Sequence, residues 1–491
     1  MLDTTDLNAM LSDPGLLRTE AFLAGEWAGA DSGKTFPVTN PARGDVIASV
    51  PDMGEAEATR AIEAAYEAQK PWAARTGKER AAVLRKWFDL MVANADDLAA
   101  ILTAEMGKPL AEAKGEILYG AAFVEWFAEE AKRVYGETIP GHQPDKRLIV
   151  LKQPIGVAAS ITPWNFPNAM IARKVAPALA AGCGFVAKPA GETPLSALAM
   201  AVLAERAGVP KGLFSVITSK SSAKIGKVFC EHPKVRKLTF TGSTEVGRIL
   251  LAQAAGQILK CSMELGGNAP FIVFDDADLD AAAEGAIISK YRNNGQTCVC
   301  ANRIYVQAGV YDAFAEKLAE RVSKLKVGDG FEPGVIEGPL INAAALEKVE
   351  SHVKDALAKG AKVAVGGGRH ALGGNFFEPT VLTGVTSEMI VTREETFGPV
   401  APLFRFEDEA DVIAQANDTI FGLASYFYAR DLGRVWRVAE ALEYGMVGVN
   451  SGLISTEVAP FGGVKQSGLG REGSRHGIED YLELKYVCLS I

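Results

Sequence analysis

Cys298 has the surroundings in this sequence that best suit covalent chemistry. It lies in the polar stretch NNGQTCVCANR (293–303), directly after a helical pattern. A thiol in a tight backbone element can present its sulfur to a ligand and receive peptide N–H donors. Where such surroundings lower its pKa, it becomes a strong nucleophile. Free cysteines are also commonly buried as small apolar residues, so packing alone is the competing explanation for Cys298.

Two further polar residues follow predicted strands. Glu264 ends the strand-like start of MELGGNAP (263–270), where two glycines allow close backbone approach. A carboxylate there can act as a general base on water, although a surface Glu before a turn fits the spacing as well. Asn165 stands just beyond a strand in SITPWNFPNAM (160–170). Its amide can donate to an oxyanion, but a turn is the more common position for a single Asn.

A candidate phosphate site lies in FTGSTEVG (240–247). The pattern predicts a strand that ends in a turn at Gly242 and Ser243 and opens a helix. Backbone N–H groups and the Ser243 hydroxyl at a helix N-terminus suit a pyrophosphate. The motif differs from the usual dinucleotide fingerprint, and ordinary helix capping by Ser243 is the alternative.

The elements that must position these residues alternate along the chain. Residues 55–133 have helical periodicity, after which strands, beginning with 155–162 and 184–188, alternate with helices. This alternation indicates βαβ units and a parallel sheet covered on both faces. A second alternating series runs from residue 270 past residue 440. Ligands usually bind at strand carboxyl ends or between domains, so we expect the site in the cleft between the two units.

Composition and charge restrict the class of protein. The chain has 491 residues and a formal net charge of −9, so no basic excess offsets nucleic-acid phosphates. No apolar run approaches the roughly 20 residues that a membrane span needs. The acidic start is unlike a secretory or transit leader, and six cysteines are too few for a disulfide scaffold. The scattered histidines give no metal motif. We expect a cytoplasmic protein without metal, nucleic-acid or membrane partner.

Seven motifs then occur in one order, namely PWNFP, KPAxxTP, FTGSTEVG, ELGGNAP, GQTC, EETFGP and PFGGVKQSGLGRE. In this order and spacing they resemble the aldehyde dehydrogenase superfamily over essentially the whole chain. GQTCVCANR, RKVAPALAAGC and GREGSRHGIEDYLELKYVC further resemble bacterial succinate-semialdehyde dehydrogenases. The resemblance implies NAD(P)-dependent oxidation of an aldehyde to an acid.

The catalytic roles that the resemblance implies agree with the chemistry of the three residues above. Cys298 would attack the aldehyde carbon, and the Asn165 amide and the Cys298 N–H would hold the oxyanion. Adding a thiolate to an aldehyde creates an alkoxide that expels hydride readily to a nicotinamide, which leaves a thioester. Glu264 would activate the water that hydrolyses this thioester.

The resemblance also assigns cofactor contacts. The residues expected at the adenosine and the phosphates are Trp164, Lys188, Gly242 and Ser243. Those expected at the nicotinamide half are Leu265, Glu395 and Phe397, with Glu395 on its ribose. Members that prefer NAD carry a Glu at the position of Gly191, where it binds the adenosine ribose. Here that carboxylate is missing and Lys188 remains to attract a 2′-phosphate. This predicts NADP in preference to NAD, unless Glu192 takes the vacant place.

Three residues match positions that bind a distal carboxylate in the resembled enzymes: Arg173, Arg292 and Ser455. Two guanidinium groups can grip a carboxylate and fix the other end of the chain at the sulfur, which predicts succinate semialdehyde as substrate. Structural ion pairs are the alternative for both arginines. Glutarate semialdehyde stays open, because one methylene gives only roughly 1–3 kcal/mol of discrimination.

Other interpretations also stay open. A CoA-acylating semialdehyde dehydrogenase is disfavoured by Glu264, and a catalytically idle binding protein is disfavoured by the intact catalytic set. A thiol hydrolase that uses Cys298 without cofactor is not dismissed by sequence. Cys300 could form a redox-sensitive disulfide with Cys298, as the resemblance suggests, but two residues is a cramped span for disulfide geometry. Packing is the equal alternative for Cys300.

The predicted α/β architecture has three parts. A Rossmann-type cofactor-binding domain comprises 1–133 and 152–259, and an α/β catalytic domain comprises 260–452. A small β oligomerisation arm comprises 134–151 and 472–491, since the C-terminal segment alternates like a strand. An exposed edge strand in this arm would pair with a neighbouring subunit, which predicts a homodimer or homotetramer.

Overall fold

The computed structural model describes residues 4–491, so the first three residues of the acidic start lie outside it. The part before residue 155 is mainly helical, and its four long helices confirm the helical prediction for 55–133. Its elements are α1 (Thr4–Met10), β1 (Ala21–Leu23), β2 (Glu26–Ala28), β3 (Thr35–Thr39), β4 (Val46–Pro51), α2 (Glu55–Ala73), α3 (Gly77–Ala93), α4 (Ala95–Met106), α5 (Leu110–Glu130), β5 (Glu137–Ile139) and β6 (Lys146–Pro154).

The next part of the chain alternates strand and helix. Its elements are β7 (Val157–Ile161), α6 (Ala169–Ala181), β8 (Gly184–Lys188), α7 (Pro194–Ala207), β9 (Phe214–Val216), α8 (Ser222–Glu231), β10 (Val235–Thr241), α9 (Thr244–Ala254) and β11 (Lys260–Glu264). Every residue of β7 and β8 is buried, as expected for a parallel sheet covered on both faces.

The second alternating series follows, and then a short C-terminal part. The elements are β12 (Ala269–Val273), α10 (Leu279–Tyr291), β13 (Ala301–Gln307), α11 (Tyr311–Val322), α12 (Ala343–Ala358), β14 (Lys362–Val365), β15 (Thr380–Val385), β16 (Val400–Phe406), α13 (Glu409–Asn417), β17 (Ala424–Tyr428), α14 (Leu432–Ala441), β18 (Met446–Val449), β19 (Gly468–Leu469), α15 (His476–Glu479) and β20 (Leu482–Ser490).

The first sheet has the strand order β19-β11-β10-β7-β8-β9-β1-β2. Strands β9, β8, β7, β10 and β11 run parallel, and the direction in which strands are added reverses between β7 and β10. In doubly wound sheets, the crevice outside the strand carboxyl ends at such a reversal is the usual ligand site. Asn165 follows β7 and Gly242 follows β10, so two candidate motifs lie at this crevice.

The first sheet extends beyond the predicted domain boundary at residue 259. Strand β11 pairs with β10 in register from Lys237 opposite Lys260 to Thr241 opposite Glu264. Because this ladder is continuous, β11 belongs to the first sheet, although the predicted catalytic domain begins at residue 260. The predicted domain division itself stays a prediction.

A second sheet, with the order β14-β15-β16-β13-β12-β17-β18, is parallel except at its edge strand β14. Both of its faces are covered by apolar clusters. A third, antiparallel sheet has the order β20-β6-β5. The C-terminal strand thus pairs with the 146–154 strand of its own chain over nine residue pairs, rather than standing alone. Within residues 4–491, no helix combines the length and hydrophobicity needed to cross a membrane.

Candidate active site

A cavity of about 420 Å³ brings together most of the residues that the sequence singled out. The predicted site residues that line it are Trp164, Asn165, Arg173, Gly242, Ser243, Leu265, Arg292, Cys298, Glu395, Phe397 and Ser455. Four other predicted residues lie outside its lining, namely Lys188, Gly191, Glu264 and Cys300.

The loop before Cys298 owes its shape to three consecutive residues with left-handed backbone. Asn293, Asn294 and Gly295 have φ angles of 54°, 54° and 70°. Asn and Gly tolerate this region better than other residues, which explains why this sequence turns sharply here. Gly267 packs against the turn that follows, where a Cβ would overlap the Cys298 carbonyl oxygen. The tight turn carries the Cys298 side chain into the cavity.

The environment of Cys298 favours the neutral thiol. Burial raises the pKa of Cys298 to about 12, and the Arg173 guanidinium opposes this rise. The carboxyls of Glu395 and Glu264 add to it. In the chain alone these surroundings do not lower the pKa of Cys298, because desolvation outweighs the attraction of Arg173. At neutral pH the sulfur carries a proton that must leave when it attacks an electrophile.

Asn165 is held next to the loop that carries Cys298. Its Nδ2 donates to the Gln296 carbonyl oxygen at 3.0 Å. Its own carbonyl oxygen accepts from Lys108 Nζ at 2.8 Å and from Asn293 Nδ2 at 3.0 Å. An amide nitrogen carries two hydrogens, so the second N–H remains for an oxyanion formed on a ligand in the cavity.

A buried ion pair holds the backbone of Asn165 in place through the Lys108 hydrogen bond. Lys108 Nζ lies 2.6 Å from Glu116 Oε2, and both side chains are 1% exposed. Glu116 Oε1 accepts from the N–H groups of Asn168 and Ala169 at 2.9 and 3.2 Å, where α6 begins. Glu116 therefore caps α6, and Lys108 connects this cap to the Asn165 carbonyl.

Glu264 lies behind the cavity wall and is 3% exposed. Its Oε2 is 4.0 Å from Arg173 Nη2, and Arg173 in turn pairs with Glu472, which also pairs with Lys174. Burial and the negative charge of Glu472 raise the pKa of Glu264 to about 8, while Arg173 opposes them. The pKa of Glu472 is lowered, because the charges of Arg173 and Lys174 outweigh the effect of its burial. Glu472 therefore carries the charge, and Glu264 is mostly protonated at neutral pH.

Phe397 and Glu395, both expected near the nicotinamide half, line the cavity together with Trp164, which is expected near the adenosine and phosphates. The rings of Trp164 and Phe397 meet edge to face with centroids 5.6 Å apart. Glu395 Oε1 accepts from the Gly267 N–H at 3.2 Å. Burial raises the pKa of Glu395 to about 7. A flat ring and a ribose hydroxyl would be complementary to these groups.

The N-terminus of α9 forms the side expected to hold phosphate. Ser243 Oγ accepts from the Val246 N–H at 3.3 Å, so the capping alternative for Ser243 is observed. Thr241 Oγ1 lines the same end of the cavity and is buried with no hydrogen-bond partner among residues 4–491. A helix N-terminus beside an unpaired hydroxyl fits a phosphate group.

Lys188 ends β8 and Gly191 follows it, and neither residue lines the cavity. Lys188 is 1% exposed and its Nζ donates to Ser222 Oγ at 2.5 Å. Burial lowers the pKa of Lys188 to about 8, and the charge of Glu192 opposes this. A Cβ at Gly191 would meet Phe36 Cε2 at 3.8 Å, an ordinary contact, so the backbone leaves room there. Glu192 itself is exposed.

The two predicted carboxylate-binding arginines differ sharply. Arg292 is half-buried, lines the cavity 5.0 Å from the centre of the Phe166 ring, and makes no ion pair with the part of the chain described. Arg173 is buried, pairs with Glu472 and lies over the Phe461 ring at 4.3 Å. The ion-pair alternative is thus observed for Arg173, and its contact with substrate stays a prediction.

Comparison with known proteins identifies the family. Residues 27–487 match the Aldehyde dehydrogenase family. The chain belongs to this family.

Individual relatives of this aldehyde dehydrogenase are similar over their whole length. It is 68% identical to a glutarate-semialdehyde dehydrogenase of Pseudomonas aeruginosa, covering 98% of this chain and 99% of that one. It is 65% identical to the succinate-semialdehyde dehydrogenase [NADP(+)] of Escherichia coli, covering 98% and 100%. The crystal structure of succinate-semialdehyde dehydrogenase from Burkholderia pseudomallei has a TM-score of 0.97 at 66% identity, covering 98% and 100%. The predicted family and fold class are confirmed.

Cys300 is separated from the cavity of the aldehyde dehydrogenase. It is 1% exposed, and its Sγ contacts the Lys290 carbonyl oxygen at 3.6 Å. Cys298 and Cys300 are both free thiols. The packing role is observed, and the redox link between the two stays a prediction.

Sequence reasoning missed two residues of this site. Tyr119 lines the cavity from α5, and Lys108 lies beneath Asn165. Helical periodicity predicts α5 but does not show which of its residues faces loops that lie far away in sequence. Among residues 4–491, no group of three or more His, Cys, Asp or Glu side chains is arranged to hold a metal ion.

Proposed function

We propose that this protein oxidises succinate semialdehyde to succinate with NADP. The observation that carries the proposal is that Arg292, a cation with no ion-pair partner among the described residues, lines the same cavity as Cys298 and Asn165. A carboxylate on Arg292 would leave the other end of a short chain at the sulfur. The succinate-semialdehyde and glutarate-semialdehyde dehydrogenases among its relatives support this assignment.

The reaction begins at the Cys298 sulfur. As the S–C bond forms, the thiol proton passes to solvent water in the cavity and the aldehyde oxygen becomes an oxyanion. The second Asn165 N–H and the Cys298 backbone N–H stabilise it. When bound, NADP supplies the nicotinamide that accepts hydride from the substrate carbon. The acyl group is then held on Cys298 as a thioester.

Hydrolysis of the thioester falls to Glu264. Its side chain turns from the Arg173 side toward Cys298 and takes a proton from water, whose oxygen attacks the acyl carbon and releases succinate and the thiol. Only the ionised carboxyl can take this proton, and burial makes that form scarce at neutral pH. The presence of a carboxyl at 264 favours water over CoA as the acyl acceptor, and an assay for acyl-CoA in the presence of CoA tests this.

The residues present fit NADP. Thr241 and the start of α9 offer donors for the pyrophosphate, and Glu395 faces the nicotinamide side. Lys188, which keeps its proton at neutral pH, and the room at Gly191 suit a ribose that carries a 2′-phosphate. We propose NADP as the preferred cofactor, with NAD as a weaker one.

Glutarate semialdehyde is the second candidate substrate. A relative named for this activity is 68% identical to the chain, and one added methylene is worth only roughly 1–3 kcal/mol of discrimination. Initial rates for succinate semialdehyde, glutarate semialdehyde and butanal, each with NADP and NAD, decide among these assignments. Preference for butanal over both semialdehydes would refute the proposal, and so would intact turnover by Cys298→Ser.

We propose further that the third sheet, formed by β20, β6 and β5, joins two or more copies of the chain. Leu484, Tyr486 and Leu151 on its strands are 68%, 59% and 42% exposed. Exposure of these apolar side chains to solvent is unfavourable, and the sheet also has unpaired edges. A second copy of the chain would bury the side chains. Sedimentation of wild type and Leu484→Glu tests for a homodimer or homotetramer. A cytoplasmic location remains the proposal from composition.

A further inference from the structure

Tyr119 brings a hydroxyl to the cavity wall between the two arginines. It lies in the third turn of α5, and its ring packs edge to face on Phe123 with centroids 5.0 Å apart. The Tyr119 side chain also packs against the apolar cluster that contains Phe166 and Met170. This packing fixes the ring, so the position of the hydroxyl is fixed as well.

The Tyr119 hydroxyl is buried and makes no hydrogen bond of good geometry within residues 4–491. Burial raises the pKa of Tyr119, which keeps its proton, while the charges of Arg173 and Arg292 oppose that rise. Both neighbours are guanidinium groups and can only donate. Their approach to the oxygen leaves the O–H proton without an acceptor.

An unsatisfied buried donor beside two cations is a site for an anionic acceptor. Glu472 neutralises much of the charge of Arg173, so Arg292 supplies the main attraction. A carboxylate has a second oxygen, which a guanidinium on one side leaves available to another donor. No other feature of the proposed mechanism uses the Tyr119 hydroxyl.

We propose that Tyr119 Oη donates a hydrogen bond to the distal carboxylate of the substrate and thereby selects carboxylated aldehydes over neutral ones. The inference rests on the proposed function, since it assumes that this end of the cavity receives a carboxylate. Arg292 attracts the carboxylate by its charge, and the Tyr119 hydrogen bond orients the carboxylate, because Tyr119 is held in a helix. A neutral aldehyde that places a methyl group here would leave the Tyr119 hydroxyl without a hydrogen-bond acceptor.

The variant Tyr119→Phe tests this, because it keeps the ring and removes the oxygen. Hydrogen bonds to charged groups predict that KM for succinate semialdehyde rises about 10- to 100-fold. We expect kcat to stay within about twofold, and kcat/KM for butanal to stay the same or rise, because butanal has no carboxylate to lose. The inhibition constant of succinate should rise together with KM. Tyr135→Phe, at a tyrosine that is 71% exposed, is the matched control and should change none of these values.

The outcomes separate the inference from the proposed function. If wild type prefers succinate semialdehyde but Tyr119→Phe binds it unchanged, the inference is overturned and the proposed function stands. Equal losses on both aldehydes, or a lowered thermal midpoint with both activities lost, would assign Tyr119 a structural role instead. If wild type itself prefers butanal, both fail together.

Discussion

Lys108 Nζ donates to the backbone carbonyl of Asn165 at 2.8 Å. The same buried nitrogen also forms an ion pair with Glu116. The contact joins the cap of α6 to the residue whose amide faces Cys298. Removing solvent from two charges is costly, and such a pair persists only where further hydrogen bonds satisfy its atoms. Here the Asn165 carbonyl and the first N–H groups of α6 do so.

Replacing Lys108 by Met should therefore damage both stability and catalysis. Breaking a buried pair leaves an uncompensated charge and costs about 3–5 kcal/mol of unfolding free energy. The loss of a donor to Asn165 should also lower kcat more than it changes KM for NADP. Urea denaturation and NADPH formation measure the two effects. Lys114→Met, which breaks an exposed pair with Asp96, should cost at most about 1 kcal/mol. Equal effects of the two variants would contradict this role for Lys108.

Glu264 should impose an alkaline pH dependence on turnover. Its pKa is raised to about 8, so its ionised fraction falls about tenfold for each pH unit below that value and is nearly complete above it. Where hydrolysis limits the rate, kcat should rise up to about pH 8 and then level off.

Glu264→Gln isolates that step. Because Gln cannot take a proton from water, steady-state turnover should nearly vanish while each active site still forms one NADPH in a rapid burst. Stopped-flow absorbance measures the burst, and rates across pH measure the ionisation. Loss of the burst as well would show that Glu264 is needed before the thioester forms.

The sequence was sufficient for the parts of this site that depend on local order. Strands of buried apolar residues predict β7 and β10, and their parallel pairing places Asn165 and Gly242 at one edge. The NNG turn likewise presents Cys298 by backbone preference alone. The strands and the turn follow from preferences that act over a few residues, and the shared edge follows from the general rule that parallel strands of one sheet end on the same side.

Long-range electrostatics could not be predicted in the same way. The pKa of Glu264 depends in part on the charge of Glu472, which lies far along the chain and holds Arg173 by an ion pair. The same burial that forms the site raises the pKa of Cys298, which the sequence of its loop alone does not indicate. Pairing across distant segments, rather than spacing within one, decides these properties.

The two arginines should respond differently to mutation. Arg292→Ala should raise KM for succinate semialdehyde about 10- to 100-fold and leave butanal nearly unaffected, because only the carboxylate loses its partner. Arg173→Ala should reduce activity on both aldehydes and cost about 3–5 kcal/mol of stability, since it leaves Glu472 with less positive charge. Kinetics with both substrates and chemical denaturation distinguish them. Equal loss on both aldehydes in Arg292→Ala would make Arg292 structural.

Gly191→Glu should shift the cofactor preference from NADP toward NAD. A side chain fits there, because its Cβ would meet Phe36 only at 3.8 Å. Its carboxylate would repel a 2′-phosphate, compete with it for Lys188, and offer a hydrogen-bond acceptor to the unphosphorylated ribose. We expect the ratio of kcat/KM for NADP to that for NAD to fall at least about tenfold. Gly191→Gln has the same size without the charge, so it should lower the ratio much less. Identical ratios in the two variants would mean that size, rather than charge, governs the choice, and a wild-type preference for NAD would refute the cofactor assignment itself.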